Sequence, residues 1–411
     1  MSISLAYKKA LCECQAFIKG EKMYKIKTFN PVSSIIDNYL KVDKYSINDS
    51  EAGFDGAIVR SASLHDEEFG ADLLAIARAG AGVNNIPIDR CAKEGIVVFN
   101  TPGANANGVK ELVLAGMLMA SRNIIEAVGW AKTLKGEGDQ VLPLAEKGKI
   151  QFVGPELRGK TLCVIGLGAI GVMVANAATA IGMDVVGYDP YISIESAWGL
   201  SRAVEREHKL DELIGKADYI SLHVPLIDKT KGFLGLEEFS KMKKGVVILN
   251  FARNGLLDYD PLYTALKDGT VKRYVTDFPN DELLAYENVI AIPHLGASTP
   301  ESEENCAKMA AKQLRDYIEY GSIVNSVNLP DCVLNPTSHC RIAVIHDNAP
   351  NMVGQFTAIL AEQNINISEM VNKSRDDVAY TVFDLDCMID QIITDKMGNV
   401  DGVIKIRLIA K

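Results

Sequence analysis

The chain has 411 residues, more than one ordinary domain holds, so two or three domains are expected. Hydrophobic residues make up 48% and charged residues 23%, the balance of a globular protein with a sizeable core. With 43 basic and 53 acidic residues the net charge is −10, which argues against a nucleic-acid partner; a local arginine can still receive an anionic substrate.

The first 22 residues contain Lys8, Lys9 and Glu13 and lack the apolar core of a signal peptide. They are read as an appendage, with Met23 an alternative start. From there, short β runs alternate with helical stretches. Strands are expected at 24–29, 56–60, 74–79 and 96–100. Alternation of this kind implies a parallel sheet with ligands at the carboxyl ends of its strands. Arg60 and Ser61 end one strand; Gly80, Ala81, Gly82 and Val83 follow another. These six are the candidate pocket for an anionic substrate. A long amphipathic helix is expected at 107–122, and a loop-rich stretch at 136–159.

Residues 161–190 then read strand, tight turn, helix, strand. Gly166 permits the sharp turn, Gly168 lets backbone approach a pyrophosphate, and Gly171 lets helix and strand pack closely. The pyrophosphate would sit on the free N–H groups of a helix N-terminus. Asp189, at the tip of the second strand, can accept from both ribose hydroxyls and repels a 2′-phosphate, which favours NAD over NADP.

Four more strands are expected at 217–224, 245–250, 273–276 and 289–292, each ending in a polar or turn residue. A helix at 300–320 and a strand at 324–329 would return the chain to the first domain. The domains are therefore expected at 23–105 with 303–330, and at 106–302. A linker follows at 331–338. The stretch 339–411 reads βαββαβ, a ferredoxin-like domain.

Oxidising an alcohol with a nicotinamide requires a base for the hydroxyl proton and a cation for a carboxylate. Strand ends supply Arg253, the carboxylates Asp277, Asp281 and Glu282, and His294. Histidine ordinarily titrates near 6.5 and suits a general base near neutrality. A carboxylate on its other nitrogen would fix the tautomer. Arginine offers a two-pronged fork to a carboxylate. His223 also ends a strand and is the weaker candidate. The eight cysteines are scattered, no Cys/His spacing suits a metal, and a reducing cytoplasm is expected. The longest apolar run, 112–120, is too short to span a bilayer.

The segments VIGLGAIG, HVPL, NFARNGLLD and PHLGAST resemble the D-isomer-specific 2-hydroxyacid dehydrogenases, over nearly the whole chain from Met23. RSAS at 60–63, RAGAGVNN at 78–85 and PHLGASTPESEENCA are most similar to the members that oxidise D-3-phosphoglycerate to 3-phosphohydroxypyruvate, the first step of L-serine biosynthesis. The last 73 residues resemble the ACT domain of serine-sensitive members. The resemblance implies an α/β fold: an NAD-binding Rossmann domain inserted in a flavodoxin-like substrate domain, plus the ACT domain. It implies Arg253 as carboxylate binder, Glu282 as the carboxylate orienting His294, and His294 as acid/base. It implies NAD contacts from Ala169, Ile170, Phe251, Ala252, Arg253, Asp277, His294, Leu295, Gly296 and Ala297. His346, Asn348 and Asn366 match serine-binding positions, and a homo-oligomer, dimer or tetramer, is implied. The family's usual DVFxxEP is DFPNDELL here, so Asp281 stands as an alternative to Glu282. Other D-2-hydroxy acids (glyoxylate, hydroxypyruvate, glycerate) are the alternative substrates. A non-enzymatic NAD or amino-acid sensor is the alternative class.

Overall fold

The computed structural model describes residues 22–335 and 340–410 except 51–52. The appendage up to residue 21, residues 336–338 of the linker and His339 lie outside the described residues. The chain divides into two compact units, one of the residues through Ala104 together with those from Glu303 on, the other Asn105–Ser302.

The second unit is built on seven parallel strands: β6 (Thr161–Ile165), β7 (Asp184–Tyr188), β8 (Glu205–Arg206), β9 (Tyr219–Leu222), β10 (Val246–Asn250), β11 (Val271–Thr276) and β12 (Val289–Ala291). Their order is β12-β11-β10-β9-β6-β7-β8, with one strand, β8, beyond the six expected. The strands are continuous apolar runs because helices cover both faces. One face carries Cys163, Ile220, Ile248 and Tyr274; the other carries Leu162, Val164, Leu249 and Val275, fully buried. Each such aliphatic side chain contributes about 1.5–3 kcal/mol. The helix Ala106–Arg122 lays Val109, Val113, Met117 and Ala120 onto the second face. The chain order reverses at β6, between β7 and β9, which opens a crevice at the carboxyl ends.

The stretch 136–159, expected to be loop-rich, contains an α-helix, Val141–Gly148, followed by a short 3-10 turn, Lys149–Phe152; a further α-helix, Ile124–Thr133, precedes it. Gly136 and Gly138 take positive φ and break only the connection between them. Proline at Pro143 lies in the first turn, where no intrahelical N–H is needed, so it starts the helix rather than preventing it.

The first unit holds a five-stranded parallel sheet in the order β2-β1-β3-β4-β5. Its strands are β1 (Tyr24–Thr28), β2 (Tyr45–Asn48), β3 (Gly56–Val59), β4 (Ala75–Arg78) and β5 (Val97–Phe99). The edge strand β2 carries too short an apolar pattern to be read from sequence. The strand expected at 324–329 does not form. Asn325 sits at φ 60, outside the β region, so this segment meets β5 only through an isolated Phe99–Ser326 bridge. Asn328 makes up the difference: its side chain accepts from Val98 N at 2.9 Å and donates to Ile96 O at 2.8 Å.

The same unit contains the βαββαβ segment as an antiparallel sheet, order β14-β15-β13-β16. These strands are β13 (Cys340–Asp347), β14 (Ile367–Arg375), β15 (Val378–Leu385) and β16 (Val403–Ala410). One face packs on its own helices through Ile342, Val344, Phe356 and Phe383. The other face joins the core around the long helix Pro300–Tyr320, through Ala343, Ile345, Tyr380 and Val382 against Tyr317 and Ile323. That face also caps the helix. Arg341 donates to Tyr320 O at 2.6 Å, Arg407 to Tyr317 O and Ile318 O at 3.2 and 2.7 Å, and Tyr380 OH to Gly321 O at 2.8 Å. These groups satisfy carbonyls that a helix end leaves without partners. No single helix among the described residues is long and apolar enough to cross a membrane.

Candidate active site

The turn after β6 is shaped by sterics. Gly166 has φ 92, and a Cβ there would come within 2.6 Å of the His223 carbonyl oxygen. A Cβ at Gly171 would overlap the Gly166 carbonyl. Gly168 is different: nothing lies within 4 Å of its Cβ position, and it stands at the N-cap of the helix Ala169–Ala180 with no side chain capping it. The first-turn N–H groups of Ala169 and Ile170 therefore stand uncapped at the exposed end of the helix, the cradle a pyrophosphate requires. Asp189 Oδ2 accepts from Leu167 N and Oδ1 from Tyr191 N, each at 2.8 Å. This holds the carboxylate at the end of β7 with lone pairs left for ribose hydroxyls. The residues present fit a dinucleotide.

At the far end of the crevice three strand ends carry the reactive groups. Asn250, 1% exposed at the end of β10, donates to Arg253 O at 3.0 Å and accepts from Ala252 N at 3.2 Å. It folds Phe251, Ala252 and Arg253 into a turn that places Arg253 at the surface. One arm of the guanidinium donates to Ala252 O at 2.7 Å. The rest of the fork has no protein partner among the described residues.

Asp277 follows β11 and is 1% exposed. Its Oδ2 accepts from Gly296 N at 3.3 Å, which ties down the loop His294, Leu295, Gly296 and Ala297. Its Oδ1 is buried with no partner. Burial pushes the carboxyl above its usual range, while the charges of His294 and Arg253 pull it back. One buried carboxylate thus feels both the candidate base and the candidate anion clamp. A buried, unpartnered acceptor beside them also suits the amide of a nicotinamide. His294 is exposed, with its ring 4.9 Å from that of Phe278.

Glu282 and Asp281 occupy the first turn of the short helix Asp281–Leu284, whose N-terminus is capped by the Asn280 side chain at 2.7 Å from Leu283 N. Both are exposed, and among the described residues neither makes a hydrogen bond or ion pair. His223 turns inward instead. Its Nε2 lies 2.8 Å from Ser221 Oγ, its Nδ1 is enclosed without a partner, and burial pushes its pKa down to about 3. It is held neutral and is a poor proton acceptor.

In the other unit, Arg60 follows β3. Asn30 Oδ1 accepts from the N–H groups of Arg60, Ser61 and Ala62 at 3.2, 2.9 and 2.9 Å and fixes that loop. Sequence reasoning missed Asn30; the Asn-Pro pair directly after β1 was the available signal. Arg78 reaches across to donate to Arg60 O at 3.2 Å, and its guanidinium fills the space beside Gly80, where a Cβ would collide with it.

His346, at the end of β13, is 2% exposed. Its Nδ1 lies 2.7 Å from Asp347 O and its Nε2 lies 2.8 Å from the Thr381 hydroxyl, which donates to Asn372 Oδ1 at 2.8 Å. Burial lowers its pKa. Asn348 is exposed and donates to Asp376 O at 3.0 Å, and Asn366 is exposed in the connection before β14.

Residues 114–296 match the family model described as the D-isomer specific 2-hydroxyacid dehydrogenase, NAD binding domain. A D-3-phosphoglycerate dehydrogenase of Haemophilus influenzae is 31% identical over 355 residues, which cover 82% of this chain and 81% of that one. The chain belongs to the D-isomer specific 2-hydroxyacid dehydrogenases. Its cofactor is NAD. A D-3-phosphoglycerate dehydrogenase of Methanocaldococcus jannaschii is 42% identical over 265 residues, 63% of this chain, and the chain spans about half (48%) of its length. Among solved structures, a cofactor(NAD+)-bound 3-phosphoglycerate dehydrogenase of Entamoeba histolytica aligns with TM-score 0.58 and 30% identity, covering 74% of this chain and 99% of that one.

Proposed function

We propose that this dehydrogenase oxidises D-3-phosphoglycerate to 3-phosphohydroxypyruvate, the first step of L-serine biosynthesis. The relatives that carry that name support the substrate. The observation that carries the chemistry is the Asp277 carboxylate, buried and under the joint influence of His294 and Arg253. When bound, NAD supplies a hydride acceptor for C2. His294 takes the hydroxyl proton as the C–H bond breaks, and Asp277 stabilises the imidazolium so formed. The free side of the Arg253 fork grips the substrate carboxylate and fixes the orientation of C2. Arg60 is the cation we assign to the phosphate. The matching experiment follows NADH consumption with 3-phosphohydroxypyruvate and with hydroxypyruvate. A higher kcat/KM for the unphosphorylated acid would overturn the substrate.

That second reading, an unphosphorylated D-2-hydroxy acid, is favoured by one observation: Arg60 is already paired, with Glu303. We further assign amino-acid sensing to the antiparallel sheet domain, with the exposed amides of Asn348 and Asn366 as recognition groups, and homo-oligomeric assembly to the chain. Inhibition by added serine and light-scattering mass test these two assignments. The six described cysteines are all free thiols, which supports a reducing, cytoplasmic setting.

A further inference from the structure

Arg60 has its main chain pinned, so only its side chain is free to choose a partner. That partner is Glu303, on the first turns of the helix Pro300–Tyr320, with Arg60 Nη2 at 2.5 Å from Glu303 Oε1. The contact is made by one nitrogen, and the side chains are 43% and 44% exposed. An exposed, one-pronged pair is weak, worth a factor of about two to five. Glu303 is also favourably placed without Arg60, because a helix N-terminus stabilises an acid. It can therefore let go at little cost.

The local charges make the release directional. Buried Cys306, one turn along the same helix, feels Arg78 and Arg60 as positive and Glu303 as negative. Two cations and one acid thus act on Cys306, whose thiol also meets the buried Thr101 hydroxyl. A phosphate dianion matches the guanidinium fork and carries twice the charge of a carboxylate. A neutral hydroxyl at the same position cannot displace Glu303.

We infer that Glu303 is a specificity-determining residue, an internal carboxylate that holds Arg60 until a phosphate dianion displaces it. The inference rests on the phosphorylated-substrate reading and deepens it. Glu303 sets the threshold that an anion must exceed, and Arg60 then contributes binding only to phosphorylated acids.

The test is a set of kinetics on the full chain: wild type, Glu303→Gln, Arg60→Ala and the double variant, each with 3-phosphohydroxypyruvate and hydroxypyruvate. Glu303→Gln is expected to lower KM for the phosphorylated acid about threefold, on the scale of an exposed ion pair. KM for hydroxypyruvate should stay as in wild type, as should kcat with either acid. In the Arg60→Ala background the same substitution should change nothing, because the two side chains act as one pair. An unchanged or raised KM for the phosphorylated acid in Glu303→Gln overturns the inference while leaving the substrate reading intact. Equal kcat/KM for both acids in wild type overturns the reading, and the inference with it. A KM fall that persists in the Arg60→Ala background also overturns the inference.

Discussion

His294 and His346 both terminate strand regions, and both were chemically eligible to bind something. Their surroundings separate them. His294 stands exposed on a loop held by Asp277, within reach of the Arg253 and Asp277 charges. His346 is sealed between Thr381 and a backbone carbonyl, edge-on to Phe356 at 5.3 Å, and held neutral by burial. The exposed imidazole is open to a substrate proton, whereas the enclosed one has both nitrogens in contact with the protein.

The largest effect that tests this contrast is on turnover. His294→Asn should lower kcat by about 10²–10⁴, the usual contribution of a general base, with NADH binding by fluorescence retained. His346→Asn should leave kcat within error and lower the unfolding midpoint instead. Loss of activity in His346→Asn with unchanged stability would erase the distinction.

Next in size is the ion pair under the antiparallel sheet. Arg341 and Asp384, 5% and 1% exposed, form two contacts at 2.6 and 2.9 Å. Arg341→Ala breaks a buried ion pair and should cost about 3–5 kcal/mol in urea unfolding. A change below 1 kcal/mol would mean that water reaches Asp384 (about the worth of an exposed pair).

The third prediction divides the carboxylates. Asp277→Asn should lower kcat about tenfold or more, because it removes the buried carboxylate on which the His294 and Arg253 charges act. Glu282→Gln should have the smaller effect. If only Glu282→Gln lowers kcat, then the helix Asp281–Leu284 approaches His294 during turnover.

A further effect, spread over several pH units, is on stability against pH. His223 and His346 have folded pKa values below the ordinary 6.5, His223 at about 3. Below pH 6.5 the unfolded chain binds more protons, so the stability they provide is complete above that pH and falls on acidification. For His223 the fall continues to about pH 3, at up to about 1.4 kcal/mol per unit. Denaturation of His223→Asn should show a shallower acid slope; an identical slope would show that another group titrates.

Much of the cofactor half was legible in sequence because its signals are local. Gly166, Gly168, Gly171 and Asp189 sit within one βαβ unit, where spacing alone fixes geometry. The antiparallel domain was legible for the same reason, β13, β15 and β16 being long and largely apolar. What escaped depends on distant partners. The pairing of Arg60 with Glu303 joins positions 243 residues apart. The enclosure of His346 depends on Thr381 and Asn372, across two strands. Asn250 looked like any strand-end polar residue; only its two backbone contacts show that it shapes the Arg253 turn. Asp277 was legible as a strand-end carboxylate, but its enclosure was not, because burial cannot be counted along a sequence.

The capped end of the helix Pro300–Tyr320 has a further consequence, for the order in which the molecule assembles. Its final carbonyls are claimed by Arg341, 21 residues later than Tyr320, and by Arg407, 90 residues later than Tyr317. During synthesis the Arg407 contacts to Tyr317 O and Ile318 O wait until the final strand emerges. The helix end and β16 should therefore open and close as one cooperative unit. Amide exchange at Gly321, whose N–H donates to Tyr317 O, should then keep pace with exchange along β16 rather than with the rest of its own helix.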